Sequence, residues 1–193
     1  FIVVTYVNVS MSPYIDQFFA FLKKQADNKT AKYFVFFNDG DEKPSNKKKP
    51  LETKGIYITK NKNIDAVINT ATKCMRNGSG GGEGLENDIE AIIDGIKQYP
   101  EANEVILVAD NMESMRDYKY IDRIKKPVRI IICGTSKRIN VQYLDIARQT
   151  KGSVHTSVSD ITSLNYKEGE YFFIDEREYL YQKGKFHSIY EKH

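Results

Sequence analysis

Cysteine is scarce: the 193 residues include two, Cys74 and Cys133. That is too few for a disulfide framework and lacks the paired spacing of a zinc site. Cys133 lies inside the apolar run Val128–Cys133, where a small buried thiol is the simple reading. Histidine is also thin, with His155, His187 and His193 scattered. No Ser/His/Asp or Cys/His arrangement stands out along the chain, and each histidine reads as a surface or structural side chain. An excess of one charge is missing as well. Lysine and arginine number 29 against 26 acidic residues, a net charge of +3, which gives no electrostatic footprint for nucleic acid. No apolar run approaches the length of a membrane span, and no repeat keeps a sustained period. What remains, 40% hydrophobic and 28% charged residues, is the composition of an ordinary soluble globular domain.

The first stretch, Phe1 to Ser12, reads FIVVTYVNVSMS. Its continuous apolar, β-branched run fits a strand buried on both faces, as in a parallel sheet covered by helices. The chain thus begins inside a strand pattern, as a piece of a longer protein would. Where such a strand ends, side chains converge on the crevice in which open α/β sheets bind ligands. Asn8, Ser10 and Ser12 alternate there and could aim three oxygens at one cation. Ser12 before Pro13 equally fits the N-cap of a helix. Both readings stand on residue types alone.

Further along, Tyr14–Gln25 and Ile64–Met75 carry apolar residues at helical spacing, and Lys32–Phe37 and Gly55–Thr59 read as strands, the second an edge paired with the first. Between those strands, Asn38–Lys54 is polar, holds Pro44 and Pro50, and reads as a long exposed loop. Its run Lys47-Lys48-Lys49 is either solvated surface or a partner contact. The glycine stretch Gly78–Gly84 matches neither a P-loop nor a dinucleotide fingerprint. It leads into a helical pattern over Glu86–Tyr99, with Glu83 and Glu86 flanking its start, where acids also suit a helix N-terminus. Val105–Ala109 is a buried strand ending at Asp110, Val128–Cys133 another, Val141–Thr150 a helix, and Ser153–Thr156 a last short strand. Strands alternating with helices predict a doubly wound, mostly parallel sheet with helices on both faces. The tail, Tyr166–Asp175 and Glu178–Tyr190, alternates aromatic and charged residues and predicts an antiparallel β-hairpin, appended to the main sheet or packed beside it. The division expected is 1–160 for the α/β domain and 161–193 for the hairpin extension.

Three loops carry hard oxygen ligands: Asn8/Ser10/Ser12, Glu83/Glu86 and Asp110. Such donors suit Mg²⁺, Mn²⁺ or Ca²⁺. In order and placement they resemble the von Willebrand factor A domain over roughly residues 1–160. That family places Asp-x-Ser-x-Ser at the end of its first strand, where this chain has Asn8-Val9-Ser10-Met11-Ser12. It places an aspartate after a central apolar strand, as in Val108-Ala109-Asp110-Asn111. Gly80-Gly81-Gly82-Glu83-Gly84-Leu85-Glu86-Asn87 is similar to a second-loop variant reading Gly-Gly-Gly-Asp and then Glu-Asp. The resemblance implies a non-enzymatic protein-binding module with a metal-ion-dependent adhesion site at the top of the sheet. An acidic side chain of a partner protein would complete the ion's coordination, in a cell-envelope or extracellular setting. Ser10, Ser12 and Asp110 would be ligands directly or through water, with Asn8 and Glu83 weaker or indirect. Asn8 in place of aspartate removes one negative charge, and the second-loop threonine is absent. Two other functions fit the sequence: a metal-independent scaffold domain with a degenerate crevice, and an enzyme for a small anionic substrate using Lys137 or Arg138.

Overall fold

The computed structural model describes residues 1–8, 11, 14, 17, 20, 23–24, 33–59, 63–78, 84–134 and 138–189. Its centre is a seven-stranded mixed sheet built around the first strand, β1 (Ile2–Tyr6), all five residues of which are buried. β1 lies between β2 (Tyr33–Phe37) and β5 (Val105–Asp110), parallel to both. β3 (Ile56–Ile58) closes one side, antiparallel to β2. On the other side β7 (Val128–Cys133) and β8 (Ser153–His155) continue the parallel run, and β9 (Asp160–Ile161) turns back antiparallel. The order is therefore β3-β2-β1-β5-β7-β8-β9. The strand order reverses between β1 and β5, a switch point of the kind beside which open α/β sheets form their ligand crevice.

Helix α1 (Ile64–Asn77) starts at Asn63, whose side chain accepts the Asp65 N–H at 2.8 Å. Helix α2 (Asp88–Gln98) lies so close to the sheet that a Cβ on Gly95 would meet Val35 Cγ2 at 3.3 Å and Ile2 and Val4 at 3.6 Å. Helix α3 (Val141–Thr150) is capped by Asn140, which accepts from Gln142 N, and ends at Lys151 in the left-handed region (φ 57°). The helix expected over Tyr14–Gln25 falls mostly outside the described residues. None of the helices described is long and apolar enough to cross a membrane.

The tail has one strand more than a hairpin. β10 (Glu170–Ile174), β11 (Arg177–Gln182) and β12 (Lys185–Ser188) form a separate antiparallel sheet beside the main one. Two two-residue turns connect them, Asp175-Glu176 (φ 49° and 63°) and Lys183-Gly184 (φ 53° and 73°). Positive φ at both positions matches the right-handed twist of the strands. The first falls at the expected break between Tyr166–Asp175 and Glu178–Tyr190, and the second divides the latter segment into β11 and β12. The sheet buries Phe172, Tyr179 and Phe186 and is pinned to α3 by Asp145, whose Oδ1 accepts from Phe186 N at 2.9 Å.

Asn38–Lys54 is likewise not a wholly exposed loop. Asn38, Asp39, Lys48 and Thr53 are buried, and a 3-10 turn at Ser45–Lys47 folds the segment inward. Its return is fastened to α2, because Thr53 N and Lys54 N donate to the two Glu90 oxygens at 2.8 and 2.9 Å. Of the three consecutive lysines, Lys47 and Lys49 are solvated while Lys48 is buried.

Candidate functional site

The crevice is lined from the ends of β1, β2 and β5 and from the start of α2. Strand alternation puts Tyr6 and Asn8 on one side of β1. Tyr6 donates its hydroxyl to Asp39 Oδ1 at 2.9 Å, while Asn8 Nδ2 donates to Tyr6 Oη at 2.9 Å and to Asp39 Oδ2 at 3.1 Å. Asp39 is held there by the preceding turn, in which Asn38 Oδ1 accepts Gly40 N and Asp41 N at 3.0 and 2.7 Å.

Acidic side chains dominate the rest. Glu86 arrives on the two-residue strand β4 (Leu85–Glu86), paired in parallel with β6 (Ser114–Met115). Asp88 opens α2, Asp110 ends β5, and Asp117 follows β6. Asp110 accepts Met112 N on Oδ1 at 2.8 Å, and Asp117 accepts Glu90 N on Oδ2 at 2.6 Å. Tyr143 on α3 reaches Asp88 Oδ1 at 3.5 Å. The opposite oxygens, Glu86 Oε2, Asp88 Oδ2, Asp110 Oδ2 and Asp117 Oδ1, are buried without a hydrogen-bond partner among the described residues.

Burying several carboxyls together disfavours their ionised forms. Desolvation, followed by the proximity of Asp88, Asp110 and Asp39, pushes Glu86 well above the usual carboxylate range. Asp88 is pushed the same way, by its complete burial and then by Asp117. Burial raises Asp117 to about 7. Asp39 is raised too, by desolvation, but the Tyr6 hydrogen bond and the charges of Lys48 and Arg116 oppose the rise. Lys48 from the folded loop and Arg116 after β6 are thus the cations that bear on Asp39; the Arg116 guanidinium lies 3.3 Å from Ser45 Oγ and 3.4 Å from the Leu85 carbonyl.

Of the site residues expected from sequence, Asp110 and Asn8 are brought to the two strand ends that flank the crevice. Ser10, Ser12 and Glu83 lie outside the described residues, as does Lys137. Arg138 is directed toward the C-terminal sheet, where it donates to the Glu178 carbonyl at 2.8 Å. No known protein family matches the chain, and no curated protein is similar to it.

Buried carboxyl oxygens without a hydrogen-bond partner are the donor type that a hard divalent cation takes. No group of three or more His, Cys, Asp or Glu converges closely enough to hold a metal among the described residues. The described carboxyls would supply charge only once a cation favoured their ionised forms, and a full coordination sphere would need further oxygens. Asp39, Asp88 and Asp117 were not singled out from the sequence. Asp88 and Asp117 look like ordinary solvated loop or helix-start acids, and Asp39 is buried only because its loop folds over.

Proposed function

We propose that the chain is a von Willebrand factor A-type domain, doubly wound, whose crevice binds a partner protein, rather than catalysing a reaction there, through a divalent-cation site between the ends of β1 and β5. The strand order, with its reversal at β1/β5 and its antiparallel β3 edge, supports this reading. The observation that carries it is the orphaned Asp110 Oδ2, buried at the switch point of the sheet alongside the unpartnered Glu86 and Asp88 oxygens. Ser10, Ser12 and Asp110 would hold Mg²⁺, or Mn²⁺ or Ca²⁺, with Glu83 and Asn8 as weaker contributors. Asn8 Nδ2 is committed to Tyr6 and Asp39, so only its carbonyl oxygen would face an ion. Asp39 restores from the neighbouring loop the negative charge that Asn8 lacks. The bound ion supplies an open coordination position for an acidic side chain of a partner protein, and the surrounding loops select that partner.

Isothermal titration of EDTA-stripped protein with each of the three ions tests the reading. Saturable binding is expected, weakened at least about tenfold by Asp110→Ala, since losing even a group that only orients a metal's ligands costs about 10–100-fold. Absence of heat and of any shift in melting temperature with all three ions would reject it.

A second reading, a metal-independent scaffold, is favoured by one observation: buried Lys48 and half-buried Arg116 already bear on Asp39, so part of the charge is balanced internally. Asn8→Asp separates the two. It replaces a donor to Asp39 Oδ2 by a repelling acceptor and should destabilise the ion-free fold by about 1–3 kcal/mol. If the native chain binds no ion but the variant gains saturable Mg²⁺ binding, the scaffold reading holds.

A further inference from the structure

The far edge of the main sheet carries a hydrogen-bonded chain that has no part in the crevice. Ser153 and His155 alternate with buried Val154 on β8 and so share one face. After His155 the chain reverses through a tight turn, with Thr156 N donating to Ser159 O at 2.9 Å, and β9 sets Asp160 directly opposite His155. His155 Nδ1 lies 2.6 Å from Asp160 Oδ1, and His155 Nε2 lies 2.8 Å from Ser153 Oγ. An ionised carboxylate only accepts, so the ring proton belongs on Nδ1. In the neutral ring that leaves the Nε2 lone pair to take the hydroxyl hydrogen of Ser153. Hydroxyl, imidazole and carboxylate therefore stand in the order nucleophile, base and orienting acid.

We propose that Ser153, His155 and Asp160 form an acyl-transfer centre for small carboxylic esters with good leaving groups. Ser153 Oγ attacks the ester carbonyl carbon while its proton passes to His155 Nε2. The tetrahedral adduct collapses, the C–O bond to the leaving group breaks, and the departing alkoxide takes the proton from Nε2. Water then repeats the sequence on the acyl-serine, His155 taking and returning one proton, and releases the carboxylic acid. The parallel register sets Arg129 beside Ser153 and half-buried Ile131 beside His155, on the same face. The Arg129 guanidinium also pairs with Glu104 at 3.2 Å, so it offers the oxyanion only part of its charge, and the isoleucine offers an apolar wall for the leaving group. The Asp160 side chain is 76% exposed and that of His155 25%. Water screens such a carboxylate, so Asp160 orients the ring more than it strengthens it, and the centre is slow and limited to activated esters. The inference is independent of the cation reading.

The test is to treat the full chain with a fluorophosphonate probe, map the labelled peptide by mass spectrometry, and follow p-nitrophenyl acetate hydrolysis in parallel. Ser153 is expected to be labelled well ahead of exposed Ser157, with EDTA making no difference. Ser153→Ala should abolish the label, and His155→Gln should slow labelling and turnover about 100-fold, the usual worth of a general base. Asp160→Asn should cause a smaller loss. Far-UV circular dichroism confirms that each variant is folded. Labelling of Ser153 no faster than of Ser157, or unchanged by His155→Gln in a folded variant, would overturn the proposal.

Discussion

Gly152→Ala is expected to cost about 4 kcal/mol or more, the range reserved for backbone clashes and large core defects. A Cβ at this position would lie 1.8 Å from the Val128 carbonyl oxygen, 2.6 Å from its carbon and 3.0 Å from its nitrogen. These are backbone atoms at the start of β7, inside the main sheet, and cannot rotate aside as a side-chain tip could. Gly152 is also where α3 ends, its N–H donating to Ala147 O at 2.7 Å beyond the left-handed Lys151. Relieving the clash would therefore pull the helix terminus and the strand apart together. With total stabilities of about 5–15 kcal/mol for domains of this kind, the variant should show a much lower urea midpoint or fail to accumulate in soluble form. Gly184→Ala is the control. No heavy atom lies within 4 Å of its added Cβ, and only its positive φ of 73° is strained, so about 1 kcal/mol is expected. Equal urea midpoints for the two variants would show that β7 and the end of α3 yield to each other.

The extent of these elements was largely legible because local chemistry marks their ends. Val128–Cys133 is an apolar run closed by Gly134, and Asn140 before Val141 with Lys151-Gly152 after Thr150 brackets α3 as a cap and a stop. Asp110 could be placed at a strand end for the same reason. The rest of the crevice depends on contacts between segments distant in sequence. Lys48 looks like its neighbours Lys47 and Lys49 until the Glu90 carboxylate pulls Thr53 and Lys54 down and closes the loop. Asp39 becomes a crevice residue only when Tyr6 and Asn8, more than thirty positions away, donate to it. The Ser153–His155–Asp160 chain lies between these cases. Its i, i+2 spacing is visible, but the relation of Asp160 to His155 requires the antiparallel return of β9, which two residues of strand hardly announce. The tail differs in another way: the turn at Lys183-Gly184 divides the segment Glu178–Tyr190 into β11 and β12, so three strands stand where a two-stranded hairpin was expected.

The stability of the ion-free chain should fall as pH rises from about 4 to about 7, and Asp117→Asn should remove much of that fall. In the fold, burial holds the Asp117 carboxyl near about 7, against 3.8 as the ordinary value. Between those limits the folded chain keeps a proton that the unfolded chain has released. Raising the pH therefore favours unfolding: the contribution is fully present below the unfolded value and is lost as pH passes through the folded one. The difference is worth on the order of 4 kcal/mol. Glu86 and Asp88, both raised by burial, act in the same direction. Asparagine at 117 retains an acceptor for the Glu90 N–H, now at 2.6 Å, but cannot ionise. Urea unfolding at about pH 5 and about pH 7.5, with and without Mg²⁺, measures the effect. The wild type should lose stability across the interval and the variant should lose less. A cation held in the crevice favours the ionised carboxyls, so Mg²⁺ should flatten the wild-type slope. A wild-type slope of the opposite sign would mean that the carboxyls are ionised and already compensated in the fold, which returns the weight to Lys48 and Arg116 and to the metal-independent reading.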